Sequence, residues 1–271
     1  MALTDPHPRP QPRPYPAAAR RGAPRRLFPG LPGPAALTAV RHGQSTANAA
    51  FAAAEAAGAL DVGITCRDAD LRLTARGRAE AAALGRWLCG GRTPDSVWVS
   101  PYLRTVETAE IALAEVAAAG LPEPGVVVEE RFRDRELGIL EMLTSAAIEL
   151  RHPEEAERRR RLGELRWRPP GGESLADVAL RVRSALRDLY ESEPDRRVLV
   201  VAHDATVLML RHILDDLPEE ELAGLPAVAN TSVTHWSRPS PAAGLTLTAW
   251  NTLPTCSCTI PRGAGGTPPE G

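Results

Sequence analysis

Lysine is absent from the 271 residues, so all 32 basic side chains are arginine. They are set against 34 acidic ones, and the formal net charge of -2 excludes a globally basic surface built for nucleic acid or anionic membrane. No basic strip interleaved with aromatics is present either, which argues against a single-strand binding groove. In so arginine-biased a composition an isolated arginine carries no weight; only its position does. Cysteine is scarce. Cys66, Cys89, Cys256 and Cys258 fit neither a C-x-x-C pair nor a zinc spacing. No apolar run approaches the roughly 20 residues that span a bilayer. The arginine-bearing start lacks the apolar stretch of a secretory signal, so a reducing cytoplasm is the expected compartment.

What is there divides the chain into three parts. Pro6, Pro8, Pro10, Pro12, Pro14 and Pro16 recur at every second position. Proline offers no amide donor and favours extended, solvated chain, so residues 1–34 are expected to form a loose tail. Residues 261–271, rich in Pro and Gly, are expected to be loose as well. Between them, over 35–260, short apolar strands alternate with helical patterns. Ala35–Val40, Ser96–Ser100, Val126–Val128 and the valine-rich Arg197–Ala202 read as strands, followed by Ser232–Trp236 and Leu245–Trp250. Helices are expected from Thr74 to Gly90, from Pro101 to Ala119, from Ser174 to Ser192 and over Ala205–Leu214. The alternation predicts an α/β domain of three layers, with a mostly parallel central sheet and helices on both faces. A small helical cap is expected to be inserted from about Thr144 to Arg168. Within it, Arg158–Arg161 behind Glu154, Glu155 and Glu157 suit a solvated helix with internal ion pairs.

Three of these strands end in unusual residues. Arg41-His42-Gly43-Gln44-Ser45-Thr46-Ala47-Asn48 follows the first, Pro101-Tyr102-Leu103-Arg104-Thr105 the second, and His203-Asp204 the valine-rich one. Ligands of open α/β sheets collect at the carboxyl ends of strands, so two histidines and two arginines are expected at one edge. Arginine offers planar, permanently charged donors for phosphate oxygens. A neutral histidine can attack phosphorus through one ring nitrogen. Gly43 removes a side chain where backbone must come close. Ser45 opens a helix whose first amides are placed to face an anion. Fixed donors of this kind can stabilise a transferring phosphoryl group as magnesium does elsewhere.

These motifs resemble the histidine phosphatase superfamily, which includes cofactor-dependent phosphoglycerate mutases and fructose-bisphosphatases. The resemblance spans roughly residues 35–237. It rests on Arg41-His42-Gly43-Gln44-Ser45-x-x-Asn48, on Leu73-Thr74-x-x-Gly77 with Ala79-Glu80-Ala81, and on Ser100-Pro101-x-x-Arg104-x-x-x-Thr108-Ala109. Gly171-Gly172-Glu173-Ser174 and the strand ending at His203 complete it.

The resemblance implies that His42 becomes a phosphohistidine and that Arg41, Arg104 and His203 hold the phosphoryl group. It places Asn48, Ser45 and Glu173 as contacts to phosphate or substrate, and implies no metal and no organic cofactor. The proton donor stays open. Alignment of Phe132-Arg133-Asp134-Arg135-Glu136-Leu137-Gly138 on Gly138 puts Asp134 at the donor position, with Glu136 two residues on. Another branch uses a His-Asp pair, which points to Asp204. Met142 stands where the mutase pattern has glycine. The expected activity is therefore a phosphomonoesterase acting on a small phosphorylated metabolite. Mutase-type transfer and a silent phosphate-binding module are the alternatives, and the oligomeric state is left open.

Overall fold

A computed structural model describes residues 27–255. The proline-rich residues before 27, Cys256, Cys258 and segment 261–271 lie outside them. Six strands form one sheet in the order β3-β2-β4-β1-β5-β6. They are β1 (Ala36–Arg41), β2 (Ser96–Val99), β3 (Gly125–Val128), β4 (Arg197–Ala202), β5 (Val233–Ser237) and β6 (Thr246–Thr252). β4 runs parallel to both β1 and β2, and β2 parallel to β3. β5 and β6 extend the other edge antiparallel. The expected mostly parallel sheet is thus the observed one.

The valine-rich run is the centre of this sheet because both its faces are covered. Val198, Val200 and Ala202 point one way, joining Leu37, Ala39 and Trp98 under α6 (Leu175–Ser192) and α7 (Asp204–Leu214). Leu199 and Val201 point the other way, joining Val40, Val97 and Val99 under α2 (Ala75–Cys89) and α3 (Leu103–Ala118). Each such valine or leucine, fully buried, contributes about 1.5–3 kcal/mol. The α6 stripe Leu175, Val178, Val182, Leu186 and Leu189 is buried as its spacing predicts. Thr74 caps α2 by accepting from the Gly77 amide, and Ser174 caps α6 in a reciprocal box with Asp177.

The insertion expected over 144–168 contains α4 (Ser145–Arg151) and α5 (Pro153–Leu162). It has its own small core of Leu140, Ile148, Ala156 and Trp167. The arginines of α5 pair with their own helix, Arg158 with Glu155 and Arg160 with Glu157. The Thr144 hydroxyl donates to the Ala59 carbonyl, tying the insertion to the chain just after α1 (Thr46–Ala57). α8 (Glu219–Ala223) completes the helices. Among the described residues no helix is long and apolar enough to cross a membrane.

One boundary needs correction. The packed chain starts before the expected residue 35: Leu27, Phe28 and Leu31 lie against the core. Phe28 meets Tyr190 edge-on at 5.2 Å, and the Asp195 amide donates to the Gly33 carbonyl. The reason is compositional, since apolar side chains return at Leu27 and can gain from burial.

Candidate active site

Strand register assembles the site. Arg41 pairs with Ala202, and the His42 amide continues the ladder by donating to the Ala202 carbonyl at 2.9 Å. The Ser100 amide does the same to Val201 at 3.1 Å. The next residue of each chain therefore leaves the sheet at the same edge. The rings of His42 and His203 stand 5.3 Å apart at 63°. Arg104 reaches them from the first turn of α3, its Nε donating to His42 Nε2 at 3.2 Å. The four expected residues are brought together, and His42, His203 and Arg104 are almost fully buried.

His42 is held as a neutral imidazole. Its Nδ1 lies 2.7 Å from the Gly43 carbonyl, which can only accept, so Nδ1 carries the proton. The Nε2 lone pair then faces Arg104 and the site. Burial first, then His203, Arg104 and Arg41, push the ring well below the ordinary histidine range. The loop is locked by backbone approach. A Cβ on Gly43 would come within 2.5 Å of the Gly77 carbonyl, and one on Gly77 would strike Gln44. Only paired glycines let these two motifs pack. The Gly43 amide also donates to Thr108 Oγ1 at 3.0 Å, joining the third motif.

The cations differ in how far they are committed. Arg41 donates from Nη1 to the Val228 carbonyl at 2.6 Å, while its buried Nε has no hydrogen-bond partner. A buried orphan donor costs about 1–3 kcal/mol, which an anion in the site would offset. Arg104 is more fully engaged: Nη1 donates to the Asp68 carbonyl at 2.6 Å, and Nη2 to Asp68 Oδ2 at 2.7 Å and Asp134 Oδ2 at 2.8 Å, which leaves one Nη1 hydrogen for a ligand. His203 accepts or donates at Nε2 with Ser100 Oγ at 2.8 Å and presents Nδ1 to Asp134 Oδ2 at 3.2 Å. Burial holds His203 below its ordinary value, with Asp134 opposing that shift. Asp134 lies well below the carboxylate range: burial pushes its carboxyl up, but the interactions with His203 and Arg104 outweigh it.

Among the three donor candidates, Asp134 is the one that meets Arg104 and His203. Glu136 is exposed and faces Arg133. Asp204 accepts from the Ala205 amide within the first turn of α7. Being one methylene short of Glu, Asp134 needs its backbone drawn inward. Arg181 does this from α6, donating to the carbonyls of Arg131, Arg133 and Asp134 at 2.8–3.0 Å.

Glu173 braces this support. Its carboxylate takes Arg181 from both sides at 2.8 Å and Arg133 at 3.0 Å, so it orients the arginine that positions Asp134. Ser45 and Asn48 form the capping box of α1, and Asn48 Oδ1 also accepts from Asn230. Two of the first α1 amides are already engaged: Thr46 N donates to the Arg72 carbonyl and Asn48 N to Ser45 Oγ.

Asp68, Tyr102, Glu141, Arg181 and Asn230 escape the sequence reading. Tyr102 sits in the x of Ser-Pro-x-x-Arg, two residues from Arg104, so its place in that motif was an available signal. Its ring lies 5.0 Å from His203 and 4.9 Å under the Arg104 guanidinium. The others lie outside the motifs and carry no local signature.

This geometry has counterparts among known proteins. The profile of the histidine phosphatase superfamily (branch 1) matches residues 37–251. A 2,3-bisphosphoglycerate-dependent phosphoglycerate mutase 2 of Gloeobacter violaceus is 36% identical over 160 residues, 56% of this chain and 68% of the relative. A glucosyl-3-phosphoglycerate phosphatase of Mycobacterium tuberculosis is 34% identical over 180 residues, 62% of this chain and 77% of the relative. The structure of a mycobacterial glucosyl-3-phosphoglycerate phosphatase with inorganic phosphate superposes with a TM-score of 0.63 at 28% identity, covering 82% of this chain and 99% of that one. With motifs, fold and profile in agreement over most of its length, the chain belongs to the histidine phosphatase superfamily, branch 1.

Proposed function

We propose that the protein is a metal-independent phosphomonoesterase that works through a phosphohistidine on His42. The observation that supports this most is the buried, neutral His42, whose Nε2 lone pair is aimed between Arg104 and His203. A phosphoryl group set against Arg41, Arg104 and His203 has fixed charge on its oxygens before reaction begins. His42 Nε2 attacks phosphorus, the P–N bond forms, and the ester P–O bond breaks. The departing oxygen takes a proton from Asp134.

Asp134 is anionic in the empty site because Arg104 and His203 favour its charge. An arriving phosphoryl dianion draws on Arg104 and His203 and adds a like charge nearby, which raises the Asp134 carboxyl and lets it carry the proton. In the second half Asp134 takes a proton from water, whose oxygen attacks phosphorus and frees His42. Phosphoglycerate mutase-type transfer is the second reading, favoured by the mutase likeness over 160 residues. Met142 favours hydrolysis, since it stands at the glycine of the mutase pattern.

The test is hydrolysis of an aryl phosphate with and without a chelator, by the wild type and by His42→Ala. Activity that survives the chelator and falls about four to six orders of magnitude in the variant is expected. Activity kept by folded His42→Ala would sink the mechanism. A stable phosphohistidine without release would point to a binding module instead.

A further inference from the structure

The approach to His42 is acidic. Arg104 is sealed, its side chain 3 % exposed, while Asp68 and Asp134, both on its Nη2, are 22 % exposed. Of this trio, the two carboxylates are the groups that meet solvent. Glu141 follows Asp134 on the same stretch of chain, folded back onto it by the Leu137 amide. It is open to solvent and accepts from the Leu137 amide at 3.0 Å, and partial burial with the nearby charges of Asp68 and Asp134 raises its carboxyl. Tyr102 lies between Arg104 and His203. Its phenol is pushed up to about 12, by burial first and then by Asp134 and Asp68, so it remains a neutral hydroxyl.

The arginines next to these carboxylates in sequence do not offset them. Arg67 is paired with Asp70 at 2.8 Å. Arg133 is held by Glu173 and Glu136. Arg135 stacks over Trp167 and donates to the carbonyls of Glu173 and Trp167. Arg41 and Arg104 are thus the cations turned toward the phosphoryl group, and the group itself uses both.

Resting on the phosphomonoesterase reading, we infer that Asp68, Glu141 and Tyr102 form a selectivity rim for monophosphates whose leaving group is an uncharged, hydroxyl-bearing alcohol such as a polyol or sugar. The donor Asp134 must touch the departing oxygen, so the leaving group emerges beside Asp68. Hydroxyls there find two carboxylate acceptors and a phenol. A carboxylate or second phosphate meets like charge at close range, partly shielded from water. Loss of about tenfold or more in kcat/KM is expected for one extra negative charge at such a distance.

A matched pair reads this directly: glycerol 3-phosphate and 3-phosphoglycerate share a three-carbon skeleton and differ in CH2OH against carboxylate. Their kcat/KM values are compared in wild type, Asp68→Asn and Glu141→Gln. Where turnover is slow, their inhibition constants against aryl phosphate are compared instead. Preference of the wild type for the glycerol ester, narrowed about three- to tenfold in each variant, is expected. Because Asp68 also holds Arg104, the Glu141→Gln ratio separates selectivity from damage to the phosphate site. Wild-type preference for the phosphoglycerate, or an unchanged ratio in both variants, would overturn the inference. Absence of His42-dependent aryl phosphate hydrolysis would overturn the underlying phosphatase reading itself, and this inference with it.

Discussion

At the floor of the site, His42 and His203 leave the ends of β1 and β4, and Arg104 rises from the first turn of α3, all sealed from solvent. At the rim, Asp68 and Glu141 sit at single 3-10 turns (Asp68–Asp70 and Gly138–Leu140), Asp134 lies on the segment after another (Glu130–Phe132), and all three meet solvent. The floor is placed by strand register, which allows no sliding once both sheet faces are buried. The rim is placed by side-chain hydrogen bonds to backbone, such as Arg181 to three carbonyls. In the proposed reaction the first arrangement supplies the nucleophile and the charge, and the second supplies the proton and meets the leaving group.

Variants can break this comparison from either side. Arg104→Gln strikes the floor and is expected to lower kcat/KM by about 10²–10³-fold, since one fixed donor to the transferring group is lost. Steady-state kinetics on an aryl phosphate reads it. Arg181→Leu strikes the rim's support. It is expected to lower kcat by about 10- to 100-fold with little change in KM, because Asp134 drifts from the leaving oxygen while the phosphate site stays. A larger effect on KM than on kcat would show that Arg181 serves binding, contrary to the division drawn here.

Smaller effects sharpen it. His42 and His203 are both held below the ordinary histidine value in the fold. As pH falls below about 6.5 the unfolded chain takes up these protons and the folded chain does not, so stability decreases with falling pH in that window. Urea unfolding of His42→Asn at pH 7.5 and 5.5 is expected to show a loss smaller than wild type by about 1 kcal/mol. Met142 holds a left-handed backbone at φ 58°. Met142→Gly is expected to relieve strain and raise stability by at most about 1 kcal/mol in the same assay. Destabilisation instead would mean that the Met side chain contributes more than its backbone costs.

The legible part of the site was the part written locally. Buried strand runs predict a sheet, strand ends predict where ligands gather, and the residues just past those ends were Arg41-His42, Ser100 to Arg104, and His203. Gly43 and Gly77 were visible as motif glycines, though only the fold shows that each excludes a Cβ on the other strand of contact. Alignment on Gly138 favoured Asp134 as donor, with Asp204 and Glu136 as alternatives; in the fold Arg104 and His203 converge on Asp134. Glu173 was read as a ligand contact because it sits in a motif. In the fold its carboxylate holds Arg181 and Arg133.

The sequence by itself determined the three-layer α/β plan, the caps at Thr74 and Ser174, the helical insertion and the histidine–arginine floor. Each of these follows from periodicity or from a residue's place next to a periodic segment. Three-dimensional packing alone shows that Asp68, 36 residues from Arg104, shares its guanidinium with Asp134, and that Glu173 pairs with Arg181. Those pairings join irregular segments far apart in the chain. A single loop carboxylate has no period to betray its partner, and its place is set by how the turns around it pack.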